Sequence, residues 1–316
     1  MVRHIQQGRT QAERRALRRK VGRLKHQKLA RGTHKRYCVA ALRFLYYFRA
    51  TRQRDSSSFE WLDSLLCEFL EQLWAEGGTR NQGNDVCSAI THYLKARRKI
   101  PGAWELMRTW GKVELPQRAV PMPPWAALGL AGLAFADQKP GLAAAYLVGF
   151  MGFLRIEELL WLSPTNLAFV SVHTLVCNLG FTKGGSRRGA KELVRLTERY
   201  LVPLVRRLIH CLDPQLPLIG STNQGFRKKF SDACRRLGLT PLNLRPYSMR
   251  RGGASHHFIL HKDIGSTLFI GRWDSVKTGR IYVTEGAAEL AAMHTVAPGA
   301  KAACKAAFDS MCHYLG

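Results

Sequence analysis

Two arginines, a lysine and several aromatic residues fall in an order along this chain that could organise chemistry on a phosphate. In chain order they are Arg155 with Glu158, Lys183, Tyr247 with Arg250, Trp273 and Tyr282. Arginine stays charged and presents a planar fork of donors, so two of them can bind the non-bridging oxygens of one phosphate. A tyrosine hydroxyl can attack the phosphorus and form a covalent link to it. Each group is ordinary alone, and the information lies in their order and spacing.

The segment around Arg155 places a guanidinium between two apolar stretches. Arg155 follows a strongly apolar run and precedes a predicted helix that turns Ile156 and Leu159 inward. A guanidinium at such a half-buried junction needs an anion beside it. Glu158 lies three residues further on, within reach, so we expect it to hold Arg155 in position. Taken alone, the pair would also suit a purely structural role.

Tyr247 and Arg250 lie three residues apart at the start of a predicted helix. The small residues that follow, Gly252 to Ser255, would let the backbone approach a ligand closely, and a helix start favours a phosphate. Taken alone, this segment would suit the exposed start of a surface helix with a solvated Arg pair.

Trp273 leads into a short helix that we predict over Val276–Val283. Asp274 or Ser275 can cap that helix at its start. Tyr282 falls near its end, nine residues after Trp273. Tyr282 has all the other groups upstream of it and lies at this short distance from Trp273.

Lys183 lies in a glycine-rich basic segment between two β-rich runs. Such a segment is typical of a hairpin tip that carries cations. Lys191 is on the same hairpin and could serve instead of Lys183.

The charge balance of the chain predicts a polyanionic partner. Lys and Arg number 49 against 22 Asp and Glu, which gives a formal net charge of +27. Nucleic acid is the obvious candidate. An anionic membrane surface and a ribosomal-type RNA partner are the alternatives, although ribosomal proteins are usually shorter and poorer in core residues. The longest apolar run, Pro140 to Leu154, is shorter than the roughly 20 residues that a bilayer requires, so we predict a buried helix there and no membrane partner.

The cysteine pattern indicates a reduced, intracellular protein. The chain has 8 cysteines, with no C-x-x-C pair and no Cys/His cluster at zinc-ligand spacing. We therefore expect neither a structural metal nor a cofactor. The first 30 residues are basic rather than apolar, so no signal peptide is predicted.

Composition shifts divide the chain into five parts, and the pattern predicts a mostly α fold with a small antiparallel β-sheet. The parts are a basic disordered arm (1–32), a helical module (33–114), a proline-rich linker (115–124), a mixed domain (125–295) and a C-terminal tail (296–316). Alone, the arm should have no fixed structure; it could be a solubilising tail, a DNA-tracking arm or a nuclear localisation signal.

The helical module and the sheet have definite predicted elements. Helices are predicted over His34–Arg49, Ser58–Glu76, Asn84–Arg97 and Ala103–Lys112, and strands over Ala168–Val172, Thr174–Leu179 and Glu192–Leu196. The tryptophans of the module, Trp61, Trp74, Trp104 and Trp110, are predicted to be core residues rather than platforms for stacked bases.

With these motifs in place, the chain resembles the tyrosine recombinase (phage-integrase-type) family over roughly 33–287. That family has an Arg-x-x-Glu box, a hairpin lysine, a His-x-x-Arg box, a His or Trp, and a nucleophilic tyrosine nine residues later. This sequence supplies Arg155 with Glu158, Lys183, Arg250, Trp273 and Tyr282 at the matching positions. The run from Tyr247 to Ala254 resembles recombinases of DIRS-like and related eukaryotic mobile elements.

The resemblance implies a fold and a set of partners. It implies a helical, SAM-like core-binding domain followed by a mixed α/β catalytic domain. It also implies double-stranded DNA as partner, homo-tetramers on DNA, a tail over 296–316 that contacts a neighbouring subunit, and location in the nucleus if the source is eukaryotic. The implied chemistry is DNA cleavage through a covalent phosphotyrosine, with neither ATP nor metal.

Tyr247 is a departure from the family, which usually has His at this position. A phenol with a pKa near 10 is a poor base at neutral pH, so Tyr247 is expected to orient phosphate rather than to remove a proton. The sequence leaves two other functions open, and the departure at Tyr247 is the main support for the first. One is a DNA-binding protein with a decayed catalytic site, such as a domesticated element, and the other is a type IB topoisomerase.

Overall fold

The computed structural model divides into two compact units, with the boundary between Gln117 and Arg118. It describes residues 10–21, 23–24, 28–51, 58–115, 117–180, 182, 185, 190–284, 286, 288–289 and 298–316. In that part of the chain, no helix combines the length and the apolar character needed to cross a bilayer, and no group of His, Cys, Asp and Glu side chains could hold a metal ion.

The first unit is entirely helical over its described residues. Its helices are α1 (Gln11–Val21), α2 (Arg31–Ala50), α3 (Phe59–Ala75), α4 (Arg80–Tyr93) and α5 (Pro101–Val113). Helix α1 lies inside the arm that is predicted to lack fixed structure. Thr10 and Glu13 explain its start, because Glu13 accepts a hydrogen bond from Thr10 N at 3.0 Å and donates one from its own N to Thr10 Oγ1 at 3.2 Å. The two contacts form a capping box.

Helix α4 differs at both ends from the prediction of Asn84–Arg97. Thr79 and Gln82 form a capping box that starts the helix at Arg80, so Gly83 lies inside the helix rather than in a break before it. The helix ends at Tyr93 because the backbone turns left-handed soon after it, at Lys95 with φ 53°. Predicted boundaries elsewhere in this unit are within a few residues of the observed ones.

The core of the first unit consists of apolar side chains from α2, α3, α4 and α5. Asp63 of α3 accepts hydrogen bonds from the N–H groups of Gly102 and Ala103, each at 2.8 Å, and thus satisfies the start of α5. Trp110 is buried in this core as predicted. The prediction for Trp74 is wrong: its side chain is 50% exposed, because it lies at the C-terminal end of α3 beyond the packed stripe.

The second unit combines nine described helices with one small sheet. The helices are α6 (Pro124–Ala136), α7 (Pro140–Met151), α8 (Ile156–Trp161), α9 (Leu201–Ile209), α10 (Asn223–Arg236), α11 (Pro246–His261), α12 (Ile264–Gly271), α13 (Val276–Gly279) and α14 (Pro298–Leu315). The strands are β1 (Leu167–Ser171), β2 (Thr174–Gly180) and β3 (Glu192–Leu196), antiparallel and in the order β1-β2-β3. The predicted mostly helical fold class with a small antiparallel sheet is confirmed.

Helix α7 is the centre of the second unit. Every residue from Gly141 to Met151 is buried, which confirms the prediction of a buried helix in the longest apolar run. The helix packs against α6, α9 and α11. The turn after it therefore places Gly152, Phe153 and Arg155 at fixed points relative to α11.

The C-terminal helix α14 packs on α6 of the same chain. Its buried residues Ala300, Cys304 and Met311 join the main core of the second unit. Gly132 of α6 allows a close approach, since a Cβ added there would lie 2.3 Å from the backbone carbonyl of Ala307. The apolar face of the tail is thus used within the chain. A contact with a neighbouring subunit through its other face stays a prediction.

We expect Gly132→Ala to destabilise the second unit. The added methyl group must displace the α14 backbone, and overpacking of this kind costs about 1–3 kcal/mol of free energy of unfolding. Urea unfolding followed by tryptophan fluorescence measures the loss. The matched control is Gly299→Ala on α14, because no atom lies within 4 Å of a Cβ added there. Equal stability of the two variants would show that α6 and α14 are not packed this closely.

Candidate active site

Arg250 is the buried centre of the candidate site. It lies on the first turns of α11, and its side chain is 0% exposed. Its Nη1 donates to the carbonyl oxygen of Phe153, and its Nη2 donates to that of Gly271 at 2.8 Å. Burial lowers the pKa of Arg250 to about 10, and the nearby Arg155 and Arg272 act in the same direction. The group therefore keeps its charge at neutral pH in a place where water is scarce.

The small residues after Arg250 serve packing inside the protein. A Cβ on Gly252 would lie 2.1 Å from the carbonyl oxygen of Met122, and one on Gly253 would lie 2.0 Å from that of Phe150. The predicted approach of this backbone to a ligand is therefore wrong. The glycines instead allow α11 to touch the segment before α6 and the end of α7, and this contact fixes Arg250.

Arg155 is the second cation of the site and is held by Glu158. Its backbone N–H donates to Glu158 Oε2 at 2.8 Å, and its Nη1 donates to Oε1 at 2.7 Å. This confirms the prediction that Glu158 holds Arg155 in position. The Arg155 side chain is 32% exposed, whereas that of Glu158 is 6% exposed. Arg155 thus presents part of a fixed guanidinium to the outside.

Trp273 and Tyr282 form an aromatic stack above Arg250. Their ring centroids are 4.5 Å apart with an interplanar angle of 20°, and Trp273 stacks in turn on Phe153 at 6.4 Å. The guanidinium carbon of Arg250 lies 4.9 Å from the Trp273 centroid and 5.1 Å from the Tyr282 centroid. Such contacts stabilise a buried cation and orient both rings.

Tyr282 is positioned by backbone contacts rather than by a helix. Helix α13 ends at Gly279, so the prediction that it continues to Val283 is wrong, although Ser275 caps its start as expected. The Tyr282 N–H donates to Gly279 O at 2.8 Å, and Ser255 Oγ donates to Tyr282 O at 3.2 Å. The tyrosine therefore follows a tight turn, and α11 anchors it through Ser255.

Tyr247 lies directly beside Tyr282. Its hydroxyl donates a hydrogen bond to the Tyr282 hydroxyl at 2.7 Å. Burial raises the pKa of Tyr247 well above its usual range, and the hydrogen bond to Tyr282 adds to the shift. Tyr247 is therefore a neutral donor at physiological pH, which suits an orienting role and not that of a base.

Two buried donors around Tyr282 lack a protein acceptor. Within the described part of the chain, Arg250 Nε and Trp273 Nε1 are inaccessible to solvent and have no hydrogen-bond partner. A buried polar group without a partner is costly, by about 1–3 kcal/mol. Donors left open beside two arginines are suited to the oxygens of an anion.

Of the two candidate lysines, the described part of the chain includes Lys191. Lys183 lies outside the described residues. Lys191, the alternative, is exposed and lines a cavity of about 230 Å³ together with Glu158, Asn178 and Gly180. Lys191 therefore borders the same region as the Arg155–Glu158 pair.

Three contributors to the site were missed in the sequence. Arg272 bonds to Glu158, Glu192 lies beside Arg272, and Ser255 anchors Tyr282. Arg272 directly precedes Trp273, and Glu192 directly follows Lys191. Their position next to a predicted site residue was the one feature of the sequence that pointed to them. The sequence around Arg272 and Glu192 does not distinguish these residues from solvated surface charges.

Comparison with solved structures identifies the fold. The Tn1549 transposon integrase in complex with circular intermediate DNA superposes with a TM-score of 0.57 at 15% identity, covering 84% of this chain and 96% of that one. A variant of that integrase in complex with transposon right end DNA gives a TM-score of 0.55 at 13% identity, covering 86% and 97%. The chain has the tyrosine recombinase fold. No family model matches the sequence, and no curated protein is detectably similar to it.

We expect the site to bind inorganic phosphate through Arg155 and the indole N–H of Trp273. Trp273→Phe keeps a stacked ring and removes only the donor, so affinity should fall about tenfold or more, since a hydrogen bond to a charged group contributes about 1.5–3 kcal/mol. Arg155→Ala should abolish the binding. Isothermal titration with phosphate measures both.

The matched control for this titration is Arg236→Ala, because that guanidinium bonds to Asp137 through contacts of 2.6 and 2.9 Å. Unchanged affinity in Trp273→Phe would show that the indole N–H does not face the anion.

Proposed function

We propose that this protein is a DNA strand transferase, a recombinase or integrase that cleaves and rejoins DNA through a covalent 3′-phosphotyrosine. One observation carries the proposal: the Tyr282 ring lies on Trp273 and above Arg250, and the buried Arg250 Nε and Trp273 indole N–H have no hydrogen-bond partner among the described residues. A nucleophile and unsatisfied donors thus meet at one point. The fold shared with the Tn1549 transposon integrase, which is known in complex with DNA, supports the same function.

In the proposed reaction, Tyr282 attacks the scissile phosphate. Its oxygen forms a bond to phosphorus, the bond from phosphorus to the 5′-oxygen breaks, and the phenolic proton passes to solvent. Arg155 and Arg250 bind the non-bridging oxygens and stabilise the charge that grows there. Because Arg250 is held by two carbonyl oxygens and is buried, it needs no reorganisation when the charge develops.

A lysine completes the reaction as the proton donor. Lys183 or Lys191 gives a proton to the leaving 5′-oxygen, which departs as a hydroxyl. The energy of the phosphodiester is kept in the phosphotyrosine link. Attack by a second strand's 5′-hydroxyl reverses the steps and joins the new strand, so the proposed exchange consumes no nucleotide.

DNA is the proposed partner because of the charge. The net charge of +27 includes α1, in which Arg14, Arg15, Arg18, Arg19 and Lys20 follow one another closely. Binding of such a chain to DNA should weaken steeply as salt rises, since each neutralised phosphate releases counterions. Pairing of sites by a homo-tetramer and location in the nucleus stay predictions that follow from the resemblance alone.

The second candidate is a DNA-binding protein whose catalysis has decayed. Tyr247 favours it, because the Tyr247–Tyr282 hydrogen bond occupies the nucleophile with a neutral phenol where the family usually has His. The intact set of Arg155, Arg250 and Tyr282 favours the enzyme. A type IB topoisomerase would use the same chemistry and would relax supercoiled DNA without a defined site.

Covalent trapping on a nicked suicide DNA substrate tests the nucleophile. Wild type should form a complex that survives denaturant, and Tyr282→Phe should form none, because it lacks the attacking oxygen. Tyr200→Phe is the matched control, since that tyrosine is 78% exposed and lies outside the site. Equal trapping by wild type and Tyr282→Phe rules out this nucleophile, whereas trapping by neither points to the decayed protein.

Tyr247→His should add a base to the site. An imidazole with an ordinary pKa of about 6.5 can accept the Tyr282 proton above that pH, so we expect cleavage at pH 7.5 to rise about tenfold or more. The rate should then fall as pH drops through the imidazole pKa, a step that wild type lacks. Single-turnover rates across pH measure this. A loss as large as that of Tyr247→Ala would contradict the expectation.

A further inference from the structure

A continuous series of polar contacts links the phosphate-binding arginine to the base of the β2–β3 loop. Glu158, which holds Arg155, also accepts a hydrogen bond from Arg272 Nη2 at 2.8 Å. The Nε of Arg272 lies 3.4 Å from Glu192 Oε2. Glu192 accepts a further hydrogen bond from Thr182 Oγ1. The series therefore runs from Arg155 to Thr182 through three charged side chains.

These groups are buried, which distinguishes them from a surface ion-pair network. The Arg272, Glu158 and Glu192 side chains are 4%, 6% and 5% exposed, and Thr182 is 8% exposed. Contacts between charges are stronger where water is excluded, and removal of one partner leaves the other buried without compensation. The network should therefore hold one fixed geometry.

Arg272 is constrained by its backbone as well as by its partners. Its φ of 57° lies in the left-handed region, which non-glycine residues seldom adopt. Its Nη1 donates to Ile270 O at 3.1 Å and to Gly152 O at 3.3 Å. The next residue is Trp273, on which the Tyr282 ring stacks. Arg272 is thus the point where the phosphate-binding pair, the aromatic stack and the loop meet.

The two network residues at the base of the loop, Thr182 and Glu192, lie next to the candidate lysines in the sequence. Thr182 directly precedes Lys183, and Glu192 directly follows Lys191. The Thr182–Glu192 hydrogen bond therefore joins the two sides of the loop at its base. The Arg272–Glu192 contact then fixes that base relative to Arg155 and Trp273.

We propose that Arg272 and Glu192 are positioning residues, which hold the base of the β2–β3 loop against the phosphate-binding arginines so that a loop lysine reaches the leaving 5′-oxygen. The inference rests on the proposed strand transfer and adds a coupling to it. The Glu158–Arg272–Glu192 series connects the arginine that binds phosphate, Arg155, to the loop whose lysine donates the proton. The network acts on the reaction through the lysine and does not touch the DNA.

A substrate that needs no proton donor separates this role from a structural one. In a suicide DNA duplex with sulfur in place of the bridging 5′-oxygen, Tyr282 forms the same bond to phosphorus while the phosphorus–sulfur bond breaks. The sulfur leaves as a thiolate and needs no proton, because the pKa of a thiol is far below that of an alcohol. Only cleavage of the oxygen substrate depends on the lysine.

The informative variants are Thr182→Val and Glu192→Gln. Each should lower the cleavage rate of the oxygen substrate about 10- to 100-fold, a partial loss of the roughly 100- to 10,000-fold that a general acid contributes, and should leave cleavage of the sulfur substrate close to the wild-type rate. Thr174→Val is the matched control, since Thr174 is also buried and lies at the other end of β2, away from the loop. If Glu192→Gln folds poorly, Thr182→Val alone decides the test, because this substitution removes one hydroxyl group and no charge.

Lys183→Ala and Lys191→Ala in the same assay identify the donor as the lysine whose loss is rescued by sulfur. Equal loss on both substrates in Thr182→Val and Glu192→Gln overturns the inference, since the network would then support the fold or the arginines alone. Unchanged cleavage of the oxygen substrate overturns it as well. If wild type cleaves neither substrate, the proposed strand transferase fails and the inference fails with it.

Discussion

The buried guanidinium of Arg250 is the constraint on which the second unit depends. Among the described residues it bonds to two backbone carbonyls and to no carboxylate. A charge without a counter-ion is unfavourable inside a protein, so the surroundings must compensate with carbonyl dipoles and aromatic faces. One carbonyl belongs to Phe153 in the turn after α7 and the other to Gly271, the last residue of α12, and the rings are those of Trp273 and Tyr282. The cation thus brings together three segments of the chain, around Phe153, Gly271 and Tyr282, and a bound anion would supply the counter-charge that it lacks.

Much of this arrangement could be predicted from the sequence. Arg155 and Glu158 were paired correctly because side chains three residues apart around a helix start are neighbours. The buried helix α7 and the three strands followed from apolar patterning, which reports directly on burial. Local rules sufficed for these features because their partners lie close in the chain.

The features that the sequence did not predict depend on contacts between residues that are far apart in the chain. Arg272 reads as a surface cation, and only the fold brings Glu158 and Glu192 to it, more than 70 residues upstream. The sequence predicts a ligand beside Gly252 and Gly253 because it does not reveal that Met122 and Phe150 pack against these glycines. The end of α13 was missed for a similar reason, since Ser255 on another helix anchors the turn that carries Tyr282.

The location of Tyr282 has a consequence for the proposed homo-tetramer. The tyrosine lies on Trp273 and Arg250 of its own chain, so one copy contains the proposed nucleophile together with the groups that surround it. No neighbour has to donate its tyrosine. When intact and defective copies are mixed, the proposed strand breakage should therefore decline in proportion to the defective share, and a single defective copy should not inactivate the others.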